Sequence, residues 1–340
     1  MYNYSLNDAV DVKDGAGPAE ALFINDSVPK PTAPEGWCIV KVKAFGINRM
    51  DIGQREGKYP LRPDIPKTLG VEFSGIVESF GSDGQTNGFT IGDEVFGLAY
   101  GGAYAEFIAA STRMIIHKPE TLSWVQAAAI PEAWITAWQA LSIGEMAAGK
   151  RVLWHAGASS VSIAGIQLSR ALGASLVLAT TGNDDKCQFL KQDLGVDAAF
   201  NYRAEGVDWA DEVLKATGGQ GVDIILDFVG APYFAQNLKV GAMDSRFVMV
   251  GALGGWKLEE LDYGPWLFKR MRIEATSLRS RSEDYQAGLI DALKENISGF
   301  ESGNLRVLIE KAFAWEEVQE AHRLMEKNIS KGKIVCTVTF

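Results

Sequence analysis

Cysteine is scarce in this sequence. Its 340 residues include three cysteines, Cys38, Cys187 and Cys336, and no two of them have C-x-x-C spacing. An odd number of widely separated cysteines argues against a disulfide framework and against a zinc site built from thiolates. The three thiols are therefore predicted to be reduced and structural.

Long apolar runs and a surplus of positive charge are also absent. No segment approaches the ~20 consecutive apolar residues that span a bilayer, and residues 1–15 lack the basic and apolar pattern of a signal peptide. The chain has 33 basic and 43 acidic side chains, a net charge of −10 that disfavours nucleic acid as its main partner. We therefore expect a cytoplasmic protein with neither a membrane nor a nucleic-acid partner.

Residues 151–174 are the most informative part of the chain. The apolar run RVLWH precedes the small residues AGASSVS, and apolar residues at helical spacing follow. This order predicts a dinucleotide site, because the free N–H groups of the helix N-terminus can face a pyrophosphate. Ser160 and Ser162 stand where such a turn usually has glycine. Either the diphosphate sits further out or the two hydroxyls replace N–H contacts, so we expect this turn to contribute less than usual to cofactor affinity.

Alternating strands and helices continue after this segment. Further helices are predicted at 185–195 and 234–240, and further strands at 174–181, 197–202, 222–230, 246–255 and 272–278. The alternation predicts an open parallel sheet with right-handed crossovers. Since such sheets bind ligands at the carboxyl ends of their strands, the loops after these strands are the candidate binding segments.

The chain on either side of this sheet has a different pattern. Residues 1–125 contain short apolar runs broken by Pro and Gly, which predict a compact β-barrel domain. After Ser277 the pattern predicts a helix, a strand, a helix and a last strand, at 285–298, 306–309, 315–326 and 333–340. The last strand is expected to return to the barrel. Residues 129–278 would then form a domain inserted between residues 1–128 and 279–340.

Several segments spread in order along nearly the whole chain resemble one family. They are FGINRMDIGQREGKYP, LGVEFSGIVESFG, GGAYAEF, IPEAWITAWQAL, HAGASSVSIAGIQLSRALGA, FNYR, DFVGAPYF, TSLRSR and GKIV. The sequence is similar to the zinc-free medium-chain dehydrogenases/reductases of the quinone oxidoreductase (zeta-crystallin-like) group, above all to the branch of the apoptosis-associated human quinone oxidoreductase. The resemblance implies an α/β chain with a GroES-like β-barrel domain for the substrate and a doubly wound parallel Rossmann domain for NADPH. It also implies hydride transfer to quinones or related conjugated acceptors in a cleft between the domains, and a homodimer formed by sheet extension near residues 271–278.

The zinc-ligand positions of related enzymes are occupied differently here. A cysteine of the zinc-dependent relatives corresponds to Asn48, and their Gly-His-Glu corresponds to Gly70, Val71 and Glu72. Valine cannot coordinate a metal and an asparagine amide is a poor substitute for a thiolate, so no catalytic zinc is expected. The four cysteines of a structural zinc lobe are absent as well.

The resemblance implies three catalytic residues, Asn48, Tyr59 and Thr136. Asn48 would lie at the former metal position, Tyr59 would hydrogen-bond a quinone oxygen, and Thr136 would face the nicotinamide. Each has a structural alternative: Asn48 caps the helical turn that follows it, Tyr59 packs in a Pro-rich loop, and the Thr136 hydroxyl bonds its own backbone. The other polar candidates, His155, Asp51 and Glu72, are expected to be structural, and His117 and His322 are assigned no chemistry.

The end of the second Rossmann strand favours NADPH over NADH. NAD-specific sites place a carboxylate there to hold the ribose hydroxyls, whereas Thr180, Thr181 and Gly182 are neutral. Lys186, Tyr202 and Arg203 add cations and donors for a 2′-phosphate. The complete set of predicted cofactor-binding residues is Ala158, Ser160, Val161, Thr181, Gly182, Lys186, Tyr202, Phe228, Val229, Gly251, Leu253, Ser277, Leu278, Arg279 and Lys333.

Three classes of function agree with these observations. The first is a zinc-independent NADPH-dependent quinone reductase, since without a metal Lewis acid the oxidation of simple alcohols is disfavoured. The second is an NADPH-dependent enal or enoyl reductase, because its acceptors are also flat and conjugated. The third is a non-enzymatic binding protein of the zeta-crystallin kind, and the acidic balance counts against RNA as its ligand.

Overall fold

The computed structural model describes residues 6–59, 61, 63, 65–82 and 84–339. The chain forms two compact units: the first runs up to Ile135 and resumes at Ser282, and the second is Thr136–Arg281. The second unit thus interrupts the first. Its limits differ from the expected 129 and 278, and its first residue falls within a continuous helix, Pro131–Ile143.

The first unit is built mainly from antiparallel strands. Its strands are β1 (Leu6–Val12), β2 (Leu22–Pro29), β3 (Trp37–Ile47), β4 (Glu72–Phe80), β5 (Glu94–Leu98), β6 (Phe107–Ser111), β7 (Ile115–His117), β14 (Ile309–Ala314) and β15 (Lys333–Thr337). β1 pairs with β2, and the others form a sheet in the order β14-β15-β3-β4-β5-β7 with β6 on β3. Side chains including Val40, Phe45 and Phe73 are buried in one apolar core. The expected return of the last strand to this unit is confirmed by its antiparallel pairing with β3.

The first unit also contains helices. They are α1 (Arg49–Arg55), α2 (Trp124–Ala128), α9 (Glu283–Glu295), α10 (Ile297–Glu301) and α11 (Val318–Glu326), and α3 (Pro131–Ile143) contains the boundary between the units. α1 follows β3 after a single residue, Asn48.

The second unit is a parallel sheet with helical crossovers. Its strands are β8 (Arg151–Trp154), β9 (Leu176–Thr181), β10 (Ala198–Asn201), β11 (Val222–Asp227), β12 (Gly241–Met249) and β13 (Arg272–Ala275). Its other helices are α4 (Ser160–Ala171), α5 (Asp184–Asp193), α6 (Trp209–Ala216), α7 (Phe234–Val240) and α8 (Gly264–Phe268). The strand order β10-β9-β8-β11-β12-β13 confirms the doubly wound Rossmann prediction. The order reverses between β8 and β11, and such sheets bind ligands at this switch point.

Some element limits differ from those predicted. The strand expected at 306–309 instead runs over Ile309–Ala314, because parallel pairing with β15 sets its register. The strand expected at 246–255 ends at Met249, which leaves 250–255 as a loop. The helix expected at 285–298 is divided into α9 and α10 at Asn296. The sequence pattern did not predict β1 or α6.

Candidate functional site

The ends of three neighbouring strands bring Asn48, Glu72 and Lys333 together. β4 and β15 pair with β3 on its two sides, both in antiparallel register. The C-terminal end of β3 therefore meets the first residues of β4 and β15, which are Glu72 and Lys333. Asn48 follows β3 directly. We call these three residues the Asn48 cluster.

The Asn48 cluster is a buried ion pair with an amide bound to both charges. The Lys333 ammonium forms an ion pair with Oε1 of Glu72 and donates to Oδ1 of Asn48 at 2.6 Å. Nδ2 of Asn48 donates to the same Oε1 at 2.9 Å, and Oε2 of Glu72 accepts the backbone N–H of Glu132 at 2.9 Å. Glu72 is fully buried, Lys333 is 2% exposed and Asn48 is 8% exposed. Each buried charge therefore has an opposite charge and further hydrogen bonds beside it, as a buried charge requires.

Gly46 provides the space for this ion pair. A Cβ at position 46 would lie 2.7 Å from Cδ of Glu72 and 2.9 Å from Cε of Lys333. Real Cβ atoms essentially never approach so closely, so a side chain at position 46 would displace one of the two charged groups. The sequence pattern around Gly46 does not indicate this requirement.

A second buried network holds the helix that begins after Asn48. Asp51 accepts the backbone N–H of Asn48 at 2.8 Å and the hydroxyl of Tyr104 at 2.9 Å. The Tyr104 oxygen lies 3.2 Å from Nε2 of His322, and Nδ1 of His322 lies 3.3 Å from Nη1 of Arg55. Burial, with a smaller contribution from Asp51, raises the pKa of Tyr104, and burial with the nearby Arg55 lowers the pKa of His322 to about 3. Tyr104 and His322 therefore stay neutral at physiological pH and position α1.

The three predicted catalytic residues, Asn48, Tyr59 and Thr136, differ in their burial and in their hydrogen bonds. Asn48 is the N-cap residue of α1, as its structural alternative expects, but its amide also contacts Glu72 and Lys333. Tyr59 is half-buried in the turn after α1. Thr136 lies in α3, and its buried hydroxyl has no hydrogen-bond partner among the described residues. The alternative for Thr136, a bond to its own helix, is therefore wrong, and the hydroxyl is a group that a bound ligand can satisfy.

At the start of α4, the hydroxyls of Ser159 and Ser162 form hydrogen bonds within the protein. Ser159 is the N-cap of α4 and accepts the N–H of Ser162 at 3.3 Å. The hydroxyl of Ser162, which is fully buried, donates to the carbonyl oxygen of His155 at 2.9 Å. The hypothesis that both hydroxyls replace N–H contacts to a diphosphate is therefore wrong for Ser162. It applies only to Ser160, which is half-buried in the first turn of α4 together with Val161.

Two glycines permit the close packing of this turn and helix. A Cβ on Gly157 would lie 2.8 Å from Cβ of Ala179 on β9, and a Cβ on Gly165 would overlap the indole of Trp154 on β8. Trp154 is fully buried and donates its indole N–H to Ser169 at 3.1 Å. Close packing of helix and strand, a usual function of glycine in nucleotide-binding turns, is thus achieved at positions 157 and 165.

A guanidinium and a phenol lie beside Gly182 at the end of β9. Because Asn201 pairs with Thr181, the next residues of the β10 chain lie beside Gly182. A Cβ on Gly182 would lie 3.0 Å from the hydroxyl oxygen of Tyr202 and 3.5 Å from Nε of Arg203. Lys186 is half-buried in the first turn of α5.

The loops after β11 and β12 are bound to each other. The N–H of Leu253 donates to the oxygen of Phe228 at 2.9 Å, and the N–H of Gly254 donates to the oxygen of Val229 at 2.8 Å. Asp227, at the end of β11, is fully buried and accepts the N–H of Val229 at 2.7 Å. Burial raises the pKa of Asp227 to about 6, although the backbone hydrogen bonds oppose this shift. Phe228, Val229 and Gly251 are half-buried, whereas Leu253 is 65% exposed.

The other predicted cofactor residues of the second unit lie in the turn before α4 and after β13. Ala158 is buried before α4. Ser277 is exposed, and Leu278 and Arg279 are buried. Just before them, the buried hydroxyl of Thr276 has no hydrogen-bond partner among the residues that the structure describes.

Lys333 differs from the rest of the predicted cofactor-binding set. It lies in the first unit, and its ammonium contacts Glu72 and Asn48. We therefore treat it as a member of the Asn48 cluster. The sequence could not indicate this contact, because Asn48 and Lys333 are 285 positions apart.

His155 is a hydrogen-bonded core residue, as expected. Its Nδ1 lies 2.8 Å from Oγ1 of Thr180 and its Nε2 lies 2.7 Å from Oδ1 of Asn237. Burial lowers the pKa of His155 to about 4, so the imidazole is neutral at physiological pH. The rings of Trp209 and Tyr233 pack edge-on against it.

Family models of known proteins match segments in both units of the chain. The model of the alcohol dehydrogenase GroES-like domain matches residues 34–120, and that of the zinc-binding dehydrogenase domain matches residues 160–295. The quinone oxidoreductase of Mus musculus is 31% identical over 335 residues, which cover 96% of each chain. The chain belongs to the quinone oxidoreductase family.

Solved structures of related enzymes share the whole fold. An NAD-dependent alcohol dehydrogenase is 30% identical with a TM-score of 0.84, and its match covers 98% of this chain and all of that one. The CurK enoyl reductase is 27% identical with a TM-score of 0.85 and the same coverage. This member of the quinone oxidoreductase family is therefore an oxidoreductase that uses a nicotinamide cofactor and acts on small molecules. Within the described residues, no helix is long and apolar enough to cross a bilayer.

The Asn48 cluster does not fit a zinc ion. The side-chain oxygen of Asn48 and a carboxylate oxygen of Glu72 both bind the Lys333 ammonium, and Val71 offers no ligand atom. A divalent cation at this place would lie against the positive charge of Lys333. Across the described parts of the chain, no group of three or more His, Cys, Asp or Glu side chains is arranged to hold a metal.

Proposed function

We propose that this protein is an NADPH-dependent quinone reductase that works without zinc. The Asn48 cluster carries the proposal, because the position of a zinc ligand in the zinc-dependent relatives holds here an amide fixed by an ion pair. An amide N–H can hydrogen-bond a carbonyl oxygen but cannot ionise an alcohol as a Lewis acid does. Quinones need no such ionisation, since their conjugated π-system spreads the charge that arrives with a hydride.

The second unit has features that fit a nicotinamide dinucleotide, which supplies the hydride when bound. The buried hydroxyls of Thr136 and Thr276 lack partners in the described structure. The N-terminus of α4, with Ser160 and Val161, would hold the diphosphate. The other residues that we propose for the cofactor site are Ala158, Thr181, Gly182, Lys186, Tyr202, Arg203, Phe228, Val229, Gly251, Leu253, Ser277, Leu278 and Arg279.

The surroundings of Gly182 support NADPH over NADH. Gly182 leaves open the place beside the Tyr202 hydroxyl and the Arg203 guanidinium, and Asp184 accepts a hydrogen bond from Asn201 at 2.9 Å. A phosphate accepts charge-assisted hydrogen bonds from such cationic groups.

Lys186→Ala is expected to weaken NADPH binding by about 1.5–3 kcal/mol and to leave NADH binding nearly unchanged, because only NADPH has the 2′-phosphate. Fluorescence titration with both cofactors measures the two affinities. Lys191→Ala, on the last turn of the same helix, is the matched control and should change neither. Equal losses for both cofactors would show that Lys186 does not bind the phosphate.

Tyr59→Phe tests the proposed contact with the acceptor. If the phenol hydrogen-bonds a quinone oxygen, kcat/KM should fall by the equivalent of about 0.5–1.5 kcal/mol while NADPH affinity stays the same. Tyr263→Phe, at a tyrosine that is 65% exposed, serves as the control. If Tyr59→Phe retains its full kcat/KM with several quinones, the residue has no contact with the acceptor.

We also propose a homodimer that forms through β13. This strand is at the edge of its sheet, with β12 as its neighbour. The segment just before it exposes Trp256, Leu267 and Phe268, at 84%, 64% and 78%. An open strand edge next to exposed apolar side chains is typical of an interface. Light scattering should give twice the chain mass of 36.9 kDa, and a single-chain mass at micromolar concentration would exclude this dimer.

An enal or enoyl reductase is the second candidate, favoured by the similarity to the CurK enoyl reductase. A panel of quinones, enals and enoyl thioesters with NADPH distinguishes the candidates. The proposal expects the highest kcat/KM with quinones. The highest value with an enal or enoyl thioester would favour the second candidate, and NADPH binding without turnover of any acceptor would favour a non-enzymatic binding protein.

A further inference from the structure

The Asn48 amide has one favourable orientation. The Lys333 ammonium can only donate hydrogen bonds and the Glu72 carboxylate can only accept them. The contacts at 2.6 Å and 2.9 Å therefore place Oδ1 at Lys333 and Nδ2 at Glu72. Rotation of the amide by half a turn would bring N–H groups against an ammonium and oxygen against a carboxylate. The ion pair thus determines which amide atom faces which side of the cluster.

One N–H group of this amide is left for a ligand. Nδ2 carries two hydrogens, and its contact with Glu72 uses one of them. The second has no hydrogen-bond partner among the residues that the structure describes. Asn48 is also the most exposed member of the cluster, at 8%, whereas Lys333 is 2% exposed and Glu72 is fully buried. A fixed N–H donor is the group that stabilises an oxygen which gains negative charge.

We propose that Lys333 and Glu72 are positioning residues that present Asn48 as the hydrogen-bond donor to the carbonyl oxygen of the acceptor. This inference rests on the proposed reduction of quinones or related conjugated carbonyls. Asn48 donates a hydrogen bond and transfers no proton, so the charge of the cluster is the same before and after reduction.

The double variant Glu72→Gln with Lys333→Met separates the positioning of the Asn48 amide from the stability of the fold. It removes both charges together, so neither is left buried without its partner. The amide oxygen that replaces the carboxylate can still accept the N–H of Glu132. The amide of Asn48 then faces a glutamine that can both donate and accept, so its orientation is no longer determined. The matched control is Glu94→Gln with Lys118→Met, which removes another ion pair of the same unit, at 2.9 Å, whose ammonium is largely buried.

The expected result is a folded double variant whose kcat with quinone falls about tenfold or more, while its KM for NADPH changes less than about twofold. The control pair should keep its kcat. Because the two residues act through Asn48, the same double substitution in an Asn48→Ala background should cause no further loss of kcat. Full kcat in the double variant, or an additional tenfold loss in the Asn48→Ala background, would overturn the positioning role.

A second measurement, independent of turnover, distinguishes a loss of amide orientation from misfolding of the variant. In nitrogen-15 NMR spectra the side-chain amide of Asn48 is the signal that Asn48→Ala removes. Its hydrogen-bonded proton should exchange with water about tenfold or more faster in the double variant than in the unsubstituted protein. An unchanged exchange rate would overturn the proposal. An unsubstituted protein that reduces no acceptor would overturn the proposed function and the role of Asn48 with it, whereas an equally active double variant overturns the positioning role alone.

Discussion

Lys333→Met is expected to lower the free energy of unfolding by about 3–5 kcal/mol, because it leaves the buried Glu72 carboxylate without its cation. The hydrogen bonds from Asn48 and Glu132 remain, but neither neutralises the charge. Chemical denaturation followed by circular dichroism measures the change.

Two further variants define the cause of this loss. Addition of Glu72→Gln to Lys333→Met should recover most of the stability, since no unpaired charge remains. Lys118→Met should lower the free energy of unfolding less than Lys333→Met does. Its partner Glu94 is half-exposed, so water can solvate the carboxylate that is left without its cation. If Lys333→Met costs less than about 1 kcal/mol, the value of an exposed pair, then Glu72 is not held as a buried charge.

Trp154→Ala is expected to cost about 3–5 kcal/mol of unfolding free energy, the range for removal of a large buried aromatic side chain. The indole is fully buried under α4, where Gly165 leaves room for it. A cavity would remain, and the hydrogen bond to Ser169 would be lost. The same denaturation experiment gives the value.

Ile91→Ala is the control for Trp154→Ala, because the Ile91 side chain is 68% exposed and lies outside the proposed dimer interface, and it should change stability by less than about 0.5 kcal/mol. Gly165→Leu combined with Trp154→Ala should recover part of the loss by refilling the space. Equal effects of Trp154→Ala and Ile91→Ala would contradict the packing of Trp154 against Gly165.

The two-domain α/β fold could be predicted from the sequence because its signals are local. Strands β8, β9, β11 and β12 are largely apolar runs followed by small residues, and the chain alternates such runs with helical patterns. The ends of strands that depend on pairing with another strand were predicted less accurately. The run at 306–309 is more apolar than the observed strand Ile309–Ala314, whose position depends on contacts with β15. Tertiary pairing overrode the local pattern there.

The parts of the site that depend on distant residues could not be predicted. The sequence places Asn48 at a zinc-ligand position of the zinc-dependent relatives, but the partners that orient it are 24 and 285 positions away. For Ser162 the sequence left two possibilities, a diphosphate that sits further out or a hydroxyl that replaces an N–H contact, whereas the structure shows that this hydroxyl bonds the carbonyl oxygen of His155. Both outcomes depend on side-chain hydrogen bonds that satisfy buried groups, which no short sequence pattern specifies.

The most direct test of zinc-free quinone reduction is turnover and zinc content measured on one sample. The protein is dialysed against a strong chelator, its zinc is determined by elemental analysis, and NADPH oxidation with a benzoquinone is followed through the absorbance of the reduced nicotinamide. We expect far less than one zinc per chain and the same kcat/KM as before dialysis, because the Lys333 ammonium already neutralises Glu72 beside Asn48. About one tightly bound zinc per chain, or activity that is lost with the chelator and restored by added zinc, would contradict the account.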